Sequence, residues 1–331
     1  MNTLTKRHLA AIGTRRRHGQ RGAALLTAMI IVTLIATLAA AMVWQQWRAV
    51  QVEAAERART QAAWILSGAL DWAKLILRED QRSGKPTALT EPWAVPLAES
   101  RLSTFLAADK DNNSGAEDDG VEAFLSGAIV DAQGRYNLKN LILTTDSTPK
   151  IDPNELATLE RLCQALGVDS SVPGRIANGL RDAIAGTSAN APLEPKTVSQ
   201  LTWLGVDSGT VQALEPYVVV LPVATSVNVN TAPREVLLAV IKNNDAATAE
   251  RLVQWRQRTP FKSLADLQTQ APSLDLTSAK LDVRSSYFEI TGRLRLADRI
   301  LEERSLLQRL QNGQSTVLER RRIASRESGN S

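Results

Sequence analysis

The feature that most constrains this chain is an uncharged run of 26 residues near its N-terminus, from Gly22 to Trp47. The apolar part of this run, residues 23–44, would be about 33 Å long as an α-helix, which is enough to cross the hydrocarbon core of a bilayer. A secretory signal has a shorter apolar region, roughly 7–15 residues, followed by a cleavage site between small residues. The sequence therefore predicts one transmembrane helix.

The charges around this helix predict its orientation. Residues 1–22 contain six basic residues and no acidic residue, and the next charge is Arg48. Because basic flanks stay in the cytoplasm, we expect a cytoplasmic N-terminus, with everything after about Arg48 on the far side of the membrane. That remaining part has 33 basic and 35 acidic residues, a net charge of about −2, so its charge balance does not favour a nucleic-acid partner.

The residue types beyond the predicted leader exclude much of enzyme chemistry. Both histidines, His8 and His18, lie in the first 22 residues, and the only cysteine is Cys163. Ser-His-Asp and Cys-His catalysis, histidine metal sites and an intramolecular disulfide are therefore excluded from the body. No spacing in the sequence places two carboxylates together for general acid–base catalysis. Cys163 lies on the apolar face of a predicted helix. We expect no enzyme, and a buried structural thiol.

The helical pattern continues beyond the membrane. Residues 48–78 contain no proline and one glycine, and their apolar residues recur at spacings of three and four, so we predict one helix from Ala23 to Arg78. Small residues along one face would let another helix approach closely. The predicted surface for packing against partner helices consists of Ala55, Ala58, Ala62, Ile65, Ala69 and Trp72.

The rest of the sequence predicts an α/β body in which an antiparallel sheet is interrupted by a large all-α insertion. From about Asp152 to Gln270 the apolar spacing is helical, and Gln133 and Gly134 indicate a tight turn. Residues 299–311 fit either a strand or a helix. Runs typical of strands occur at residues 124–142, 285–297 and 315–323.

An acidic segment at residues 108–120 raises the question of a metal. Its oxygen donors alternate as in calcium loops, but Ser114 and Gly120 stand where an EF-hand has glycine and glutamate. A weak Ca²⁺ site and a solvated acidic turn both stay open, and Ca²⁺ is the only cofactor that the sequence indicates. The candidate ligands are Asp109, Asp111, Asn113, Glu117 and Asp118.

Residues 227–267 support an alternative function. They resemble the helix-hairpin-helix repeats of membrane-anchored, competence-like DNA-binding proteins, so the insertion is expected to have a helix-hairpin-helix or SAM-like fold. Those repeats present backbone N–H groups of a glycine-containing hairpin to a phosphate. Here the corresponding residues 241–249 contain no glycine, and residues 227–267 carry six basic against four acidic residues. We therefore expect no nucleic-acid binding, with DNA binding as the alternative.

Motifs along the whole chain point to one family. A basic leader that ends in glycine before an apolar helix resembles the type IV pilin and pseudopilin class, and Thr27 at the fifth position after that glycine resembles the K component of type II secretion, which lacks the usual glutamate there. The phrases that carry the resemblance are RGAALL at 21–26, LTEPWAVPL at 89–97, DAQGRYNLKNL at 131–141, VNVNTAPREVLLAV at 227–240 and YFEITG at 287–292.

This resemblance implies a function and a set of partners. A prepilin peptidase would cut between Gly22 and Ala23, and the inner-membrane protein, in contact with membrane lipid, would cap the tip of a periplasmic pseudopilus with the minor pseudopilins I and J. The implied organisation is a leader (1–22), an N-terminal helix (23–78), a first part of the body (79–145), a helical insertion (146–282) and closing strands with a tail (283–331).

Overall fold

The computed structural model describes residues 21–102, 123–144, 148–186, 191–242, 245–276, 279–296, 299–310 and 312–326. The chain forms two compact units, one ending at Gln61 and the other running from Ala62 to Ser331. The α-helices of the described part are α1 (Arg21–Arg82), α2 (Pro153–Ala165), α3 (Val172–Ala185), α4 (Ser208–Leu214), α5 (Arg234–Val240), α6 (Ala246–Arg258) and α7 (Leu264–Gln270). The strands are β1 (Leu97–Arg101), β2 (Ala123–Asp131), β3 (Tyr136–Asn137), β4 (Ile142–Leu143), β5 (Lys150–Ile151), β6 (Val218–Val219), β7 (Val227–Asn228), β8 (Leu281–Asp282), β9 (Tyr287–Leu296), β10 (Arg299–Arg309) and β11 (Ser315–Arg326).

Helix α1 is continuous over 62 residues, as the apolar spacing predicts, and ends four residues later than expected. Its N-terminal part is long and apolar enough to span a membrane. The hydroxyls of Thr27, Thr33 and Thr37 donate to helix carbonyls three or four residues earlier, at 2.8–2.9 Å. These internal hydrogen bonds lower the cost of placing hydroxyls in lipid.

The body is built on a five-stranded antiparallel sheet with the strand order β1-β2-β9-β10-β11. Residues 299–311 were compatible with a strand or a helix, and β10 shows that a strand forms there. It pairs with β9 on one side and β11 on the other. The turn before β11 contains Gly313, whose φ of +79° is one that glycine adopts readily. The predicted closing strands are therefore confirmed, and they form an antiparallel meander.

The part of α1 within the body covers one face of this sheet. Leu70 and Leu77 pack with Phe288 and Leu307 in one buried cluster, and the Trp93 ring meets Phe288 edge-on with centroids 5.4 Å apart. The buried face of α1 is rotated by part of a turn from the stripe predicted to pack on partner helices. The reason is that α1 packs on the chain's own sheet through this face. Its buried members are Ala62, Leu66, Leu70, Ala73 and Leu77.

The insertion is larger than predicted. The chain leaves the sheet after Asp131 and returns at Tyr287, so residues 132–286 are inserted between the adjacent strands β2 and β9, instead of 146–282. The strand-like residues after Asp131 account for the difference, since β3 and β4 pair with β6 and β5 inside the insertion and not with the sheet. Cys163 is buried here, as predicted, and its burial raises the thiol pKa to about 11.

Two repeats form the insertion. In the first, the parallel pair β3 and β6 brackets α2, α3 and α4, and in the second, the parallel pair β7 and β8 brackets α5, α6 and α7. The two repeats share one hydrophobic core, and the Arg161 Nε of α2 donates to the Ala239 carbonyl of α5 at 2.8 Å. The insertion is therefore built of two similar units, and their helices agree with the helical insertion expected from the sequence.

Candidate functional site

A buried polar cluster joins the insertion to the sheet, and Asp131 lies at its centre. Its carboxylate accepts hydrogen bonds from the backbone N–H of Gln133 at 2.8 Å, from Asn228 Nδ2 at 2.9 Å, and from the hydroxyls of Thr231 and Ser285 at 2.6 Å each. Burial raises the pKa of Asp131, and these four hydrogen bonds offset part of the rise. We call this cluster, together with Thr87 and Arg309, the junction.

The junction also holds the end of α1. Asn228 Nδ2 donates to the Thr87 carbonyl at 3.0 Å, and Arg309 Nη2 donates to the Thr87 hydroxyl at 3.1 Å and to the Ser285 carbonyl at 2.8 Å. Arg309 Nη1 lies 2.8 Å from Asp80 Oδ2, and both side chains are almost fully buried. Breaking such a buried pair leaves an uncompensated charge, so this pair strongly constrains the position of the end of α1 on β10.

The family motifs converge on this junction. Asp131 and Gln133 belong to the phrase at 131–141, and Asn228 to the phrase at 227–240. Gln133 lies in the tight turn that the sequence predicts, and its side chain is buried. Its Nε2 donates to the Ser226 carbonyl at 3.0 Å, and its Oε1 accepts from the Ser286 N–H at 2.6 Å. These two phrases are therefore linked by contacts in the fold.

The two repeats share a pattern of hydrogen bonds at their first strands. The Tyr136 N–H donates to the Tyr217 carbonyl at 2.8 Å, and the Val227 N–H donates to the Lys280 carbonyl at 2.8 Å. One residue later in each repeat, an asparagine oxygen accepts from the backbone two residues on, at 3.0 Å for Asn137 and 2.9 Å for Asn228. The two asparagines are therefore equivalent positions, and only the second of them joins the junction.

The hairpins between helices show why this fold does not favour DNA. Asp169 accepts from the Ser171 N–H at 2.8 Å, and Asp207 from the Thr210 N–H at 2.9 Å, so aspartate already occupies backbone donors that a DNA phosphate would need. The hydrogen bonds to Ser171 and Thr210 lower the pKa of each carboxyl. Sequence reasoning missed the signal for this feature, the pentapeptide LGVDS, which occurs at 166–170 and again at 204–208.

In residues 227–267, the region considered for DNA binding, an aspartate again accepts a hydrogen bond from a backbone N–H group at the start of a helix. Asp245 caps α6 and accepts from the Thr248 N–H at 2.6 Å; this bond lowers the Asp245 pKa. Arg256 is buried and donates to the Val229 carbonyl at 2.6 Å, and burial lowers its pKa to about 10. One of the six basic residues counted for this region is therefore buried, which lowers the basic charge that the surface presents to a phosphate backbone.

The structure places the predicted packing stripe in different environments. Ala62 is fully buried in the chain's own core and is not available to a partner, whereas Ile65 and Ala69 are partly buried beside it. Trp72 is 42% exposed, and Ala55 and Ala58 have intermediate exposure. Partner packing by these residues stays a prediction.

Two other sites were predicted from the sequence, a cleavage site and a calcium site. Gly22 and Ala23 lie in the first turn of α1, and cleavage between them stays a prediction. Asp109, Asp111, Asn113, Glu117 and Asp118 lie outside the described residues. Within the described ranges, no three His, Cys, Asp or Glu residues are grouped so that they could hold a metal ion. Calcium binding therefore stays a prediction.

The architecture defines a class of protein. A membrane-spanning helix whose C-terminal part packs on an antiparallel sheet is the form of a pseudopilin, here a membrane-anchored, single-pass subunit that carries a large α-helical insertion. Two family models, both described as type II secretion system protein K, match residues 134–223 and 227–289, which correspond to the two repeats of the insertion. The chain belongs to the type II secretion system protein K family, and it is a minor pseudopilin.

Relatives and a solved structure agree with this assignment. The type II secretion system protein K of Pseudomonas aeruginosa is 28% identical over 92% of this chain and 93% of its own length. That of Pectobacterium carotovorum is 29% identical over 88% of this chain and 93% of its own. A chain in the crystal structure of the GspK–GspI–GspJ complex of the enterotoxigenic Escherichia coli type 2 secretion system has the same fold, with a TM-score of 0.60, 20% identity, and coverage of 82% of this chain and 99% of that chain.

Proposed function

We propose that this minor pseudopilin caps the tip of the type II secretion pseudopilus together with the minor pseudopilins I and J, and so supports the export of folded proteins. The observation that carries the proposal is the insertion of residues 132–286 between the adjacent strands β2 and β9. A subunit inside a helical pilus must offer matching surfaces above and below, because such contacts repeat without limit. A chain with so large an addition at one place departs from that repeating surface.

The structural relative supports the choice of partners. That chain is part of a complex of the GspK, GspI and GspJ proteins, and its fold matches this chain along most of its length. The polar junction gives the tip role a physical basis, since it fixes the insertion to the sheet through buried hydrogen bonds. A rigidly attached insertion can obstruct the addition of a further subunit, whereas a loosely tethered one would move aside.

We further propose the topology and processing that the sequence predicts. The basic leader keeps the N-terminus in the cytoplasm, the body lies in the periplasm, and the prepilin peptidase cuts between Gly22 and Ala23. The function is assembly, and no reaction or cofactor is assigned. If the acidic segment binds Ca²⁺, millimolar Ca²⁺ should raise the melting temperature of the protein, and replacing Asp109 and Asp111 by alanine should abolish that increase.

Deleting the insertion tests the tip role directly. Asp131 and Phe288 are directly opposite each other in β2 and β9, so a two-residue Asn-Gly turn can replace residues 132–287 and close the strands as a hairpin. We expect longer pseudopili from the deletion when the major pseudopilin is overproduced. The control is cooperative thermal unfolding of the deletion variant. Pseudopili of unchanged length, made with a folded deletion, would refute capping.

A further inference from the structure

Strand β11 forms one edge of the five-stranded sheet. Within the described residues, it pairs with β10 on one side and with no strand on the other. Eight consecutive residues, 319–326, pair with β10 in regular register, and a bulge at Leu318 ends this run. We call residues 319–326 the free edge. It is longer than the typical strand of roughly five or six residues, and its outward-pointing N–H and C=O groups are able to pair with a further strand.

One face of the free edge carries a surplus of positive charge. On the side of the sheet that packs on α1, Arg320 and Arg322 both contact the Glu303 carboxylate, at 2.8 Å and 3.0 Å. Because two guanidinium groups share one carboxylate, one positive charge stays uncompensated within the described part of the chain. The Glu303 side chain is only 3% exposed, whereas that of Arg322 is 56% exposed. An acidic group from outside therefore has access to Arg322.

The other face of the free edge has a different character. Successive residues of a strand point to opposite faces, so Ile323 lies on the face opposite to Arg322, and it is 41% exposed. Glu319 and Arg321 share this face and compensate each other at 2.9 Å. A groove of about 630 Å³ continues this face between β11 and the first repeat of the insertion. Its apolar lining includes Val220, Pro222, Leu306 and Leu318.

These two faces define the strand that fits beside β11. Side chains directly across from each other in neighbouring strands are favourable when opposite charges or two apolar groups meet. The incoming strand therefore needs acidic residues on the face of Arg322 and apolar residues on the face of Ile323, so the two types must alternate along it. A second β11 does not fit, because β11 contains four arginines and one acidic residue and would bring like charges together.

We propose that the free edge binds an extended, acidic segment of another protein, which adds to the sheet as a further strand and in which acidic and apolar residues alternate. Main-chain hydrogen bonds would supply affinity, and the two faces of β11 would select the sequence. This inference goes beyond the tip role and does not depend on it, since it concerns the edge of the sheet and not the insertion.

Fluorescence anisotropy with a labelled model peptide tests the proposal on the full-length chain in neutral detergent. The probe is an eight-residue peptide in which glutamate and valine alternate, and the control has lysine in place of each glutamate. We expect saturable binding of the glutamate peptide, and binding of the lysine peptide that is weaker by at least about tenfold. No saturable binding of the glutamate peptide, or equal binding of both, would overturn the proposal.

Backbone methylation separates strand addition from simple charge attraction. In a strand added to an edge, only alternate N–H groups point toward the neighbouring strand. One peptide N-methylated at every glutamate and another N-methylated at every valine should therefore differ, with one losing its binding and the other keeping it. This comparison uses the unmodified protein and does not depend on the folding of a variant. Equal behaviour of the two methylated peptides would refute strand addition.

Arg322→Gln tests the location, with Arg293→Gln as the matched control. Glu303 keeps its contact with Arg320 in the first variant, so the melting temperature should stay unchanged. Arg322→Gln should weaken binding of the glutamate peptide by about two- to fivefold, as expected for one exposed charge pair. Arg293 is exposed on the central strand β9, away from the free edge, and its replacement should leave the affinity unchanged.

Two results would assign the free edge differently. Equal affinities of the two variants would place the peptide elsewhere on the protein. A dimer of the unliganded chain in sedimentation analysis, dispersed by the glutamate peptide, would show that a second copy occupies the edge. Either result overturns this inference while the tip role stands, because that role is tested by deleting the insertion.

Discussion

Asn228 Nδ2 lies 2.9 Å from Asp131 Oδ2, although 97 residues separate the two in sequence. The same nitrogen also contacts the Thr87 carbonyl and the Ser285 hydroxyl. One amide thus links the loop after α1, the end of β2, the second repeat of the insertion and the segment that leads into β9. The attachment of the insertion depends on this amide, because a buried polar group that loses its partner is costly.

Replacing Asn228 by alanine should lower the free energy of unfolding by about 2–3 kcal/mol, since the buried Asp131 carboxylate loses a donor. Asn178→Ala is the matched control, because the Asn178 amide makes a single exposed bond to the Gly174 carbonyl, and its loss should cost less than about 0.5 kcal/mol. Chemical denaturation of both variants measures the difference. Equal stability would contradict the role assigned to Asn228.

A glycine pair sets the distance between β2 and β9. Gly127 is directly paired with Gly292, and a Cβ at Gly127 would lie 2.8 Å from the Thr291 carbonyl oxygen, which is a backbone atom and cannot move aside. Gly127→Ala should therefore destabilise the protein by about 1–3 kcal/mol. Gly174→Ala, in helix α3 with nothing within 4 Å, should instead stabilise it by up to about 1 kcal/mol. Thermal melts that moved in the same direction would contradict this account.

Much of the fold follows from local sequence pattern. The length of α1, the start of α2 at Asp152 and the closing strands follow from apolar periodicity and turn residues, which act over a few positions. The junction does not, because Arg309 and Asp80 are 229 residues apart and nothing in their neighbourhoods indicates the pairing. The face of α1 that is buried was predicted only in part, since several apolar faces compete and the sheet selects one of them. The repeated LGVDS, by contrast, was visible in the sequence and overlooked.

The stability of the protein should depend on pH through Asp131. Because burial raises the folded pKa of Asp131 above its ordinary value of 3.8, the folded protein binds this proton more tightly than the unfolded chain does. The stability that protonated Asp131 contributes is present below about 3.8 and is lost as the pH rises through the raised value. Asp131→Asn, which cannot ionise, should remove this loss, and melting temperatures between pH 4 and pH 8 would show a flatter profile.

Asp169 should behave in the opposite sense and serves as the control. Hydrogen bonds from Ser171 lower the pKa of Asp169, so its contribution is present above 3.8 and is lost as the pH falls through the lowered value. Asp169→Asn should therefore lower the melting temperature above about pH 3.8, where the parent carboxylate is ionised, and approach the parent protein as the pH falls below that value. If both variants followed the parent protein over the whole range, neither carboxyl would be coupled to folding.

A substitution at Gly22 tests whether residues 1–22 are removed as a leader peptide. Gly22 lies in the first turn of α1, directly before the apolar run. We expect a side chain at this position to obstruct a membrane peptidase that cuts there. Gly22→Leu should leave a precursor heavier than the mature chain by about 2.4 kDa, taking roughly 110 Da for each leader residue. Thr27→Ala is the matched control, because the Thr27 hydroxyl bonds only within the helix, to the Ala23 carbonyl, and cleavage should proceed. Intact mass measurement of both variants from cells with and without the peptidase decides the question. A Gly22→Leu protein of mature mass would place the cleavage site elsewhere.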